Sequence, residues 1–195
     1  MEQVTPLTIG RRGPISFKVA QIDVVCADVD LLVVGMFEQD VANRPKGGAD
    51  QLDRVLDGTL SRLRKGGIFN GTAGETLVLA TPPAPIRARS LMLIGMGDGI
   101  APISTAARHP AELAMCTALR MNARSAGCLL MWLERDIPAE MVEAMAATMM
   151  EGVLKAVAER ARREPLPELE WTFDIRNGDA ARTAQALSHS LTAAP

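Results

Sequence analysis

The stretch Ser90-Leu91-Met92-Leu93-Ile94-Gly95-Met96-Gly97-Asp98-Gly99 decides the fold. Four apolar residues run without polar alternation from Leu91 to Ile94, then pass straight into three glycines at alternate positions. Such a run reads as a strand buried on both faces, the interior strand of a sheet covered by helices. The glycines after it let the chain turn sharply or let another group approach the backbone closely. The expectation is an α/β protein with this strand and its loop at the centre of the sheet.

Working outward from that strand, Pro82, Pro83 and Pro85 make a stiff loop, and Arg87 and Arg89 lead in. Thr76 to Ala80 reads as a strand after the turn Asn70-Gly71. Residues 49–65 read as one helix, because Leu52, Val55, Leu56, Leu60 and Leu63 keep the spacing of a single face. Asp50 and Asp53 near its start and Arg62, Arg64 and Lys65 at its end suit the helix dipole, and Gly66 and Gly67 offer C-caps. Leu31 to Phe37 reads as a second buried strand, Ile15 to Val25 as one or two strands, and residues 1–14 as loop, broken by Gly10, Gly13 and Pro14.

On the C-terminal side, the pattern predicts a helix over 110–124 and a strand over 128–133. The longest helix is expected over 138–163, its Met141, Met145 and Met149 ladder facing the core. A strand over 169–175 and a helix over 180–191 complete the chain. With 195 residues, no internal repeat and no low-complexity linker, residues 1–195 read as one domain.

Composition excludes several functions. A net charge of −2 gives no broad attraction to nucleic acid or anionic lipid. Tyr is absent, so stacking platforms for single strands have little to be built from. No apolar run approaches a membrane span, and the N-terminus lacks a signal-peptide pattern. A cytoplasmic protein with neither nucleic-acid nor membrane partners is expected. Cys26, Cys116 and Cys128 form no C-x-x-C pair, and they read as reduced thiols, Cys26 and Cys128 buried within apolar runs.

No catalytic set assembles itself. Gly95, Gly97 and Gly99 lack the G-x-G-x-x-G spacing of a dinucleotide loop, and no helix opens on the last of them. His109 and His189 are isolated and read as solvated, and no Ser sits in a G-x-S-x-G turn. Asp23, Asp28 and Asp30 read as loop and strand-edge punctuation rather than a metal cluster. No catalytic residue, metal site or cofactor is expected.

Four short runs together carry a resemblance. They are Asp30-Leu31-Leu32-Val33-Val34, Gly47-Gly48-Ala49-Asp50-Gln51-Leu52, residues 67–76 (Gly-Ile-Phe-Asn-Gly-Thr-Ala-Gly-Glu-Thr) and Leu93-Ile94-Gly95-Met96-Gly97. The chain, from about Ile15 to Leu191, resembles the N-terminal domain of the leucyl aminopeptidase family. The resemblance implies a three-layer α/β/α fold with a mixed central sheet, related to the macro domain. It also implies that the two-metal peptidase chemistry belongs to a second, C-terminal domain, which the chain is expected to lack. The run Asn177-Gly178-Asp179-Ala180-Ala181-Arg182 is similar to a metal-binding run of that second domain but lacks its glutamate.

The likeness to macro domains implies a place for a small anionic ligand. Asp23 and Asp30 stand at the spacing of the aspartate that contacts adenine and the aspartate that opens the next strand. Gly47-Gly48 resembles the diphosphate-cradling turn, with Arg44 and Lys46 adding charge, and Gly95, Gly97 and Gly99 complete the set. Two departures stand against it. Gly35, Met36 and Phe37 replace the asparagine pair of catalytic macro domains, and Glu134-Arg135-Asp136 replaces the second glycine-rich phosphate loop. The leading expectation is therefore a stand-alone, non-catalytic domain that forms a homo-oligomer or docks to a separate protein partner. The alternative is a macro-like module for a nucleotide or ADP-ribose-type ligand.

Overall fold

The structure, a computed structural model, describes residues 6–38, 47–99, 106–130, 139–175 and 180–193. Seven strands are extended: β1 (Leu7–Arg12), β2 (Ile15–Ala20), β3 (Leu31–Met36), β4 (Thr76–Leu79), β5 (Ser90–Gly95), β6 (Ser125–Leu129) and β7 (Leu169–Asp174). They form one sheet in the order β1-β2-β7-β6-β3-β5-β4. The five inner strands are parallel, with Ile15 opposite Leu169, Ser125 opposite Glu170, and Leu31 opposite both Ala126 and Ser90. The two edge strands are antiparallel, β1 to β2 and β4 to β5. The sheet is thus mixed, as expected.

The described helices are α1 (Gly47–Val55), α2 (Thr59–Lys65), α3 (Arg108–Arg120), α4 (Ala139–Ala161) and α5 (Ala180–Ala193). Helix α3 packs on α4, and α4 on α5, whereas α1 packs on β3 and α2. The connection from β3 to β5 runs toward one edge, and those from β5 to β6 and from β6 to β7 run toward the other. Right-handed crossovers therefore place α1 and α2 on one face and α3 and α4 on the opposite face. Three layers follow.

The apolar runs fill both interfaces. Every residue of β3 and β5 is buried. On β2 and β7 alternation returns: Ile15, Phe17 and Val19, with Leu169, Trp171 and Phe173, point to one buried side. Phe17 stacks on Phe173 with ring centroids 6.5 Å apart, and Trp171 meets Phe173 edge-on at 6.1 Å, the offset geometries that aromatic quadrupoles favour. The methionine ladder of α4 is core, with Met145, Met149 and Met150 buried beside Val153 and Val157.

Several sequence expectations need correction. The Ser90–Gly95 strand is buried on both faces but lies second from one edge; β6 is the central strand. Residues 7–12, read as loop, are the edge strand β1, whose register shifts between Thr8 and Gly10 to form a bulge. The strand expected over 128–133 begins at Ser125. The helix expected over 49–65 is two helices, because Asp57 (φ 52°) and Gly58 (φ 71°) turn left-handed between them. Asp53 then caps the second helix, its carboxylate accepting from the Ser61 N–H at 3.1 Å and from the Ser61 hydroxyl at 2.6 Å. Cys26 is exposed rather than buried, since Val24 to Cys26 is a turn and not a strand.

Candidate functional site

In an open parallel sheet the carboxyl ends of the strands, where chain connections diverge, form the natural crevice. Here the divergence lies between β3 and β6. Phe37 and Glu38 leave β3 there, Met96 to Gly99 leave β5, and Leu130 leaves β6.

The glycine loop after β5 is held by protein backbone. Gly95 N–H donates to the Glu75 carbonyl at 2.7 Å, and the Gly95 carbonyl accepts from Gly74 N–H at 3.0 Å. Gly97 N–H donates to the Gly71 carbonyl at 2.9 Å, and its own carbonyl accepts from Glu38 N–H at 2.9 Å. Met96 N–H reaches the Met36 carbonyl at 2.8 Å. Segment 71–75 is therefore clasped against the end of β5. The Glu75 carboxylate steadies that segment by accepting from Asn70 N–H at 2.8 Å and Thr72 N–H at 3.2 Å. Gly97 and Gly99, at φ 79° and 72°, supply left-handed turns, and Gly95 supplies bare space for the clasped backbone.

The other site residues fall as follows. Asp23 is exposed, and its Oδ1 accepts from Val25 N–H at 2.8 Å and Cys26 N–H at 3.0 Å, so the carboxylate braces its own turn. Asp30 serves the opposite end of the sheet, accepting from Arg124 N–H at 2.7 Å and pairing with Arg89 at 3.2 Å. Gly47 and Gly48 are the first residues of α1 itself rather than a turn before it. Arg44 and Lys46 lie outside the described residues, as do Glu134, Arg135 and Asp136. The structure thus brings Gly95 and Gly97 together with segment 71–75, and gives Asp23 a local partner.

Sequence reasoning missed Asp174 and Thr183. Asp174 ends β7, is 5% exposed, and accepts Ile22 N–H at 2.7 Å. It lines a small cavity with Met145, Met149, Phe173, Thr183 and Leu187. The buried Thr183 hydroxyl has no partner among the described residues, and a void of this size with a hydroxyl and a carboxylate on its wall suits a single water molecule. The one available signal was an aspartate closing the alternation Trp171-Thr172-Phe173. Burial pushes the nearby Cys128 thiol far up, and the Asp174 charge adds to the rise, so Cys128 stays protonated and inert. Cys116 is also raised, first by burial and then by Glu112 and Glu159. His109 and His189 are exposed, as expected. Among the described residues no three His, Cys, Asp or Glu side chains converge on a point where a metal would sit. No described helix is long and apolar enough to cross a membrane.

Residues 33–156 match the family described as the cytosol aminopeptidase family, N-terminal domain. The chain belongs to that family. The probable cytosol aminopeptidase of Idiomarina loihiensis is 33% identical to it over 170 residues, which cover 84% of this chain and 33% of that protein. The solved structure of a tomato leucine aminopeptidase mutant superposes with a TM-score of 0.73 at 24% identity, over 91% of this chain and 35% of the other. A macrodomain of Oceanobacillus iheyensis, solved with ADP, shares the fold at a TM-score of 0.62 and 8% identity, over 96% and 95% of the two chains. The chain spans about a third of the length of the curated relatives it matches. Within this aminopeptidase N-terminal domain, Gly71, Gly74, Gly95 and Gly97 of the family-like runs 67–76 and 93–97 are accounted for by the clasp between them, and Gly67 by the left-handed turn that ends α2.

Proposed function

We propose that this chain is a non-catalytic member of the cytosol aminopeptidase family that works by association, with a second copy of itself or with a partner protein. One observation carries the reading: the backbone groups of Gly95 and Gly97, which a ligand at the strand ends would need, already bond segment 71–75 and Glu38. The match to the N-terminal domain of the family supports it, because that region is expected to carry no metal cage. A two-metal hydrolase needs a full set of carboxylates around both ions. Purified protein supplied with manganese or zinc is expected to show no turnover of leucine chromogenic substrates. Metal-dependent turnover that co-purifies with the chain through successive columns overturns the non-catalytic reading.

The competing reading places a nucleotide or ADP-ribose-type ligand at Asp23, Gly47-Gly48 and Gly95 to Gly99. It is favoured by the macrodomain fold and by a helix that opens on two glycines. Against it, Asp23 braces its own turn and the second glycine loop is engaged. Each missing charge-assisted hydrogen bond to the ligand costs about 1.5–3 kcal/mol, and the loss of both, about 3–6 kcal/mol, takes a micromolar affinity to about the millimolar range. Calorimetric titration with ADP-ribose checks this. Micromolar binding that disappears in Asp23→Ala or Gly48→Val makes the ligand module the better account.

A further inference from the structure

Among the described residues the sheet ends at β4, a four-residue strand with a strand partner on one side only. Thr76-Leu77-Val78-Leu79 carries no charge, and among the described residues it pairs only with β5. Native edges are normally blunted by a lysine, a bulge or a proline within the strand. Here the prolines come later, at Pro82, Pro83 and Pro85. Val78 is 41% exposed on one face of the edge, and Leu77 and Leu79 are half-buried on the other. Ile68, in the segment leading to β4, is 61% exposed.

The hydrogen-bond register shows which groups point outward. Gly95 N–H bonds the Glu75 carbonyl, and residues opposite each other across β4 and β5 alternate from there. Leu77 and Leu79 therefore face Leu93 and Leu91 with their backbone groups, and Thr76 and Val78 turn theirs away from the sheet. An antiparallel copy of the same strand meets this edge without mismatch. A twofold axis through Leu77 puts Thr76 of each copy opposite Val78 of the other, and each such pair exchanges two bonds. No like charges meet, because Glu75 of one copy then stands opposite Leu79 of the other.

We propose that β4 is the self-association surface: two copies of this chain join edge to edge through an antiparallel β4–β4 pair and continue the sheet across a twofold axis. The proposal rests on the association reading above and commits it to a second copy. Peptide strands of other proteins are the alternative occupants.

The test is light scattering on the full chain from low to high micromolar concentration, beside Val78→Pro and Val78→Lys. The Val78 N–H points away from β5, so proline there spares the internal ladder while deleting an outward donor from each copy. Lysine is a second variant that needs no proline backbone. A concentration-dependent dimer is expected for the wild type, weakened at least about tenfold in both variants with unchanged circular dichroism. Leu77→Cys, made with Cys26→Ser to remove the exposed thiol, is expected to cross-link the dimer on oxidation. In this register the two Leu77 Cα atoms face each other at about 4.5 Å, within disulfide reach. A wild-type dimer that survives both Val78 variants and does not cross-link overturns the β4 surface and leaves self-association standing. A wild type that stays monomeric throughout overturns both, and directs the association reading to a separate partner.

Discussion

Gly95→Ala is expected to destabilise the chain strongly, with a loss of more than about 3 kcal/mol out of a total of roughly 5–15 kcal/mol for a domain of ordinary stability. Gly95 does not adopt a left-handed φ, so alanine is acceptable to its backbone and the cost is steric. A Cβ there would stand 1.9 Å from the Thr72 carbonyl oxygen and 2.7 Å from the Gly71 carbonyl carbon. Both obstacles are backbone, so no side chain can swing aside. Relief requires segment 71–75 to withdraw by more than an ångström. That movement breaks the bonds from Gly97 N–H to Gly71 and from Gly74 N–H to Gly95, each contributing about 1 kcal/mol. β5 cannot retreat instead, because it is registered residue by residue against β3. Gly67→Ala is the comparison. Gly67 has φ 67° but nothing within 4 Å of its Cβ position, so only left-handed strain of about 1–2 kcal/mol is incurred. Urea unfolding followed by circular dichroism ranks the two. Gly95→Ala unfolding at the same midpoint as Gly67→Ala, or above it, contradicts the clasp.

That clasp explains why the fold is more legible in the sequence than the site. Apolar runs report burial on both faces, and β3 and β5 are buried throughout. Such runs carry no information on strand order, so a reading of β5 as the central strand misses that it lies one strand from the edge. Strand β1 is unreadable because Gly10, Gly13 and Pro14 are turn residues. Gly10 nonetheless serves within the strand, where it permits the bulge and lies so close to Leu191 that a Cβ would meet that side chain at 2.7 Å. The break between α1 and α2 is hidden by an apolar spacing that continues across it. Leu56 and Leu60 are both buried although the chain turns between them.

Glycines are ambiguous in sequence for a physical reason. Freedom from Cβ serves a phosphate and a neighbouring backbone equally well. Gly95 and Gly97 have the look of ligand residues, but their backbone donors and acceptors bond segment 71–75 and Glu38. Asp23 is similarly ambiguous, since a carboxylate two or three residues before free N–H groups folds back on its own turn. Asp174 and Thr183 escape notice because burial of a polar group depends on α4 and α5 closing over the end of β7. No local pattern encodes that closure.

Gly152→Ala sets two effects against each other and decides between them. Gly152 lies inside α4, where alanine favours the helix by about 1 kcal/mol, so propensity alone forecasts a more stable protein. Packing forecasts the opposite. A Cβ at Gly152 would stand 2.1 Å from the Arg108 carbonyl oxygen and 3.1 Å from the Glu112 nitrogen, both in the first two turns of α3. The two helices touch there backbone to backbone. Around that point the interface is small-residue and buried, with Ala111 and Ala114 on α3 and Ala156 on α4. Helix α3 also rests on β3, β5 and β6, so it cannot simply slide away. Separation would stretch the Lys155–Glu112 pair, now 2.6 Å, but the lysine end is screened by solvent and the pair adds little. The steric term, about 3 kcal/mol or more where the obstacle is backbone, exceeds the propensity gain. A net destabilisation of about 2 kcal/mol is expected for alanine, and a larger one for Gly152→Val. Gly66→Ala provides the baseline, since its Cβ would come no nearer than 3.4 Å to any atom and its φ of −80° suits alanine. Thermal unfolding of the three variants decides the matter: Gly152→Ala melting at or above Gly66→Ala means that propensity prevails and that α3 and α4 pack more loosely than these distances imply.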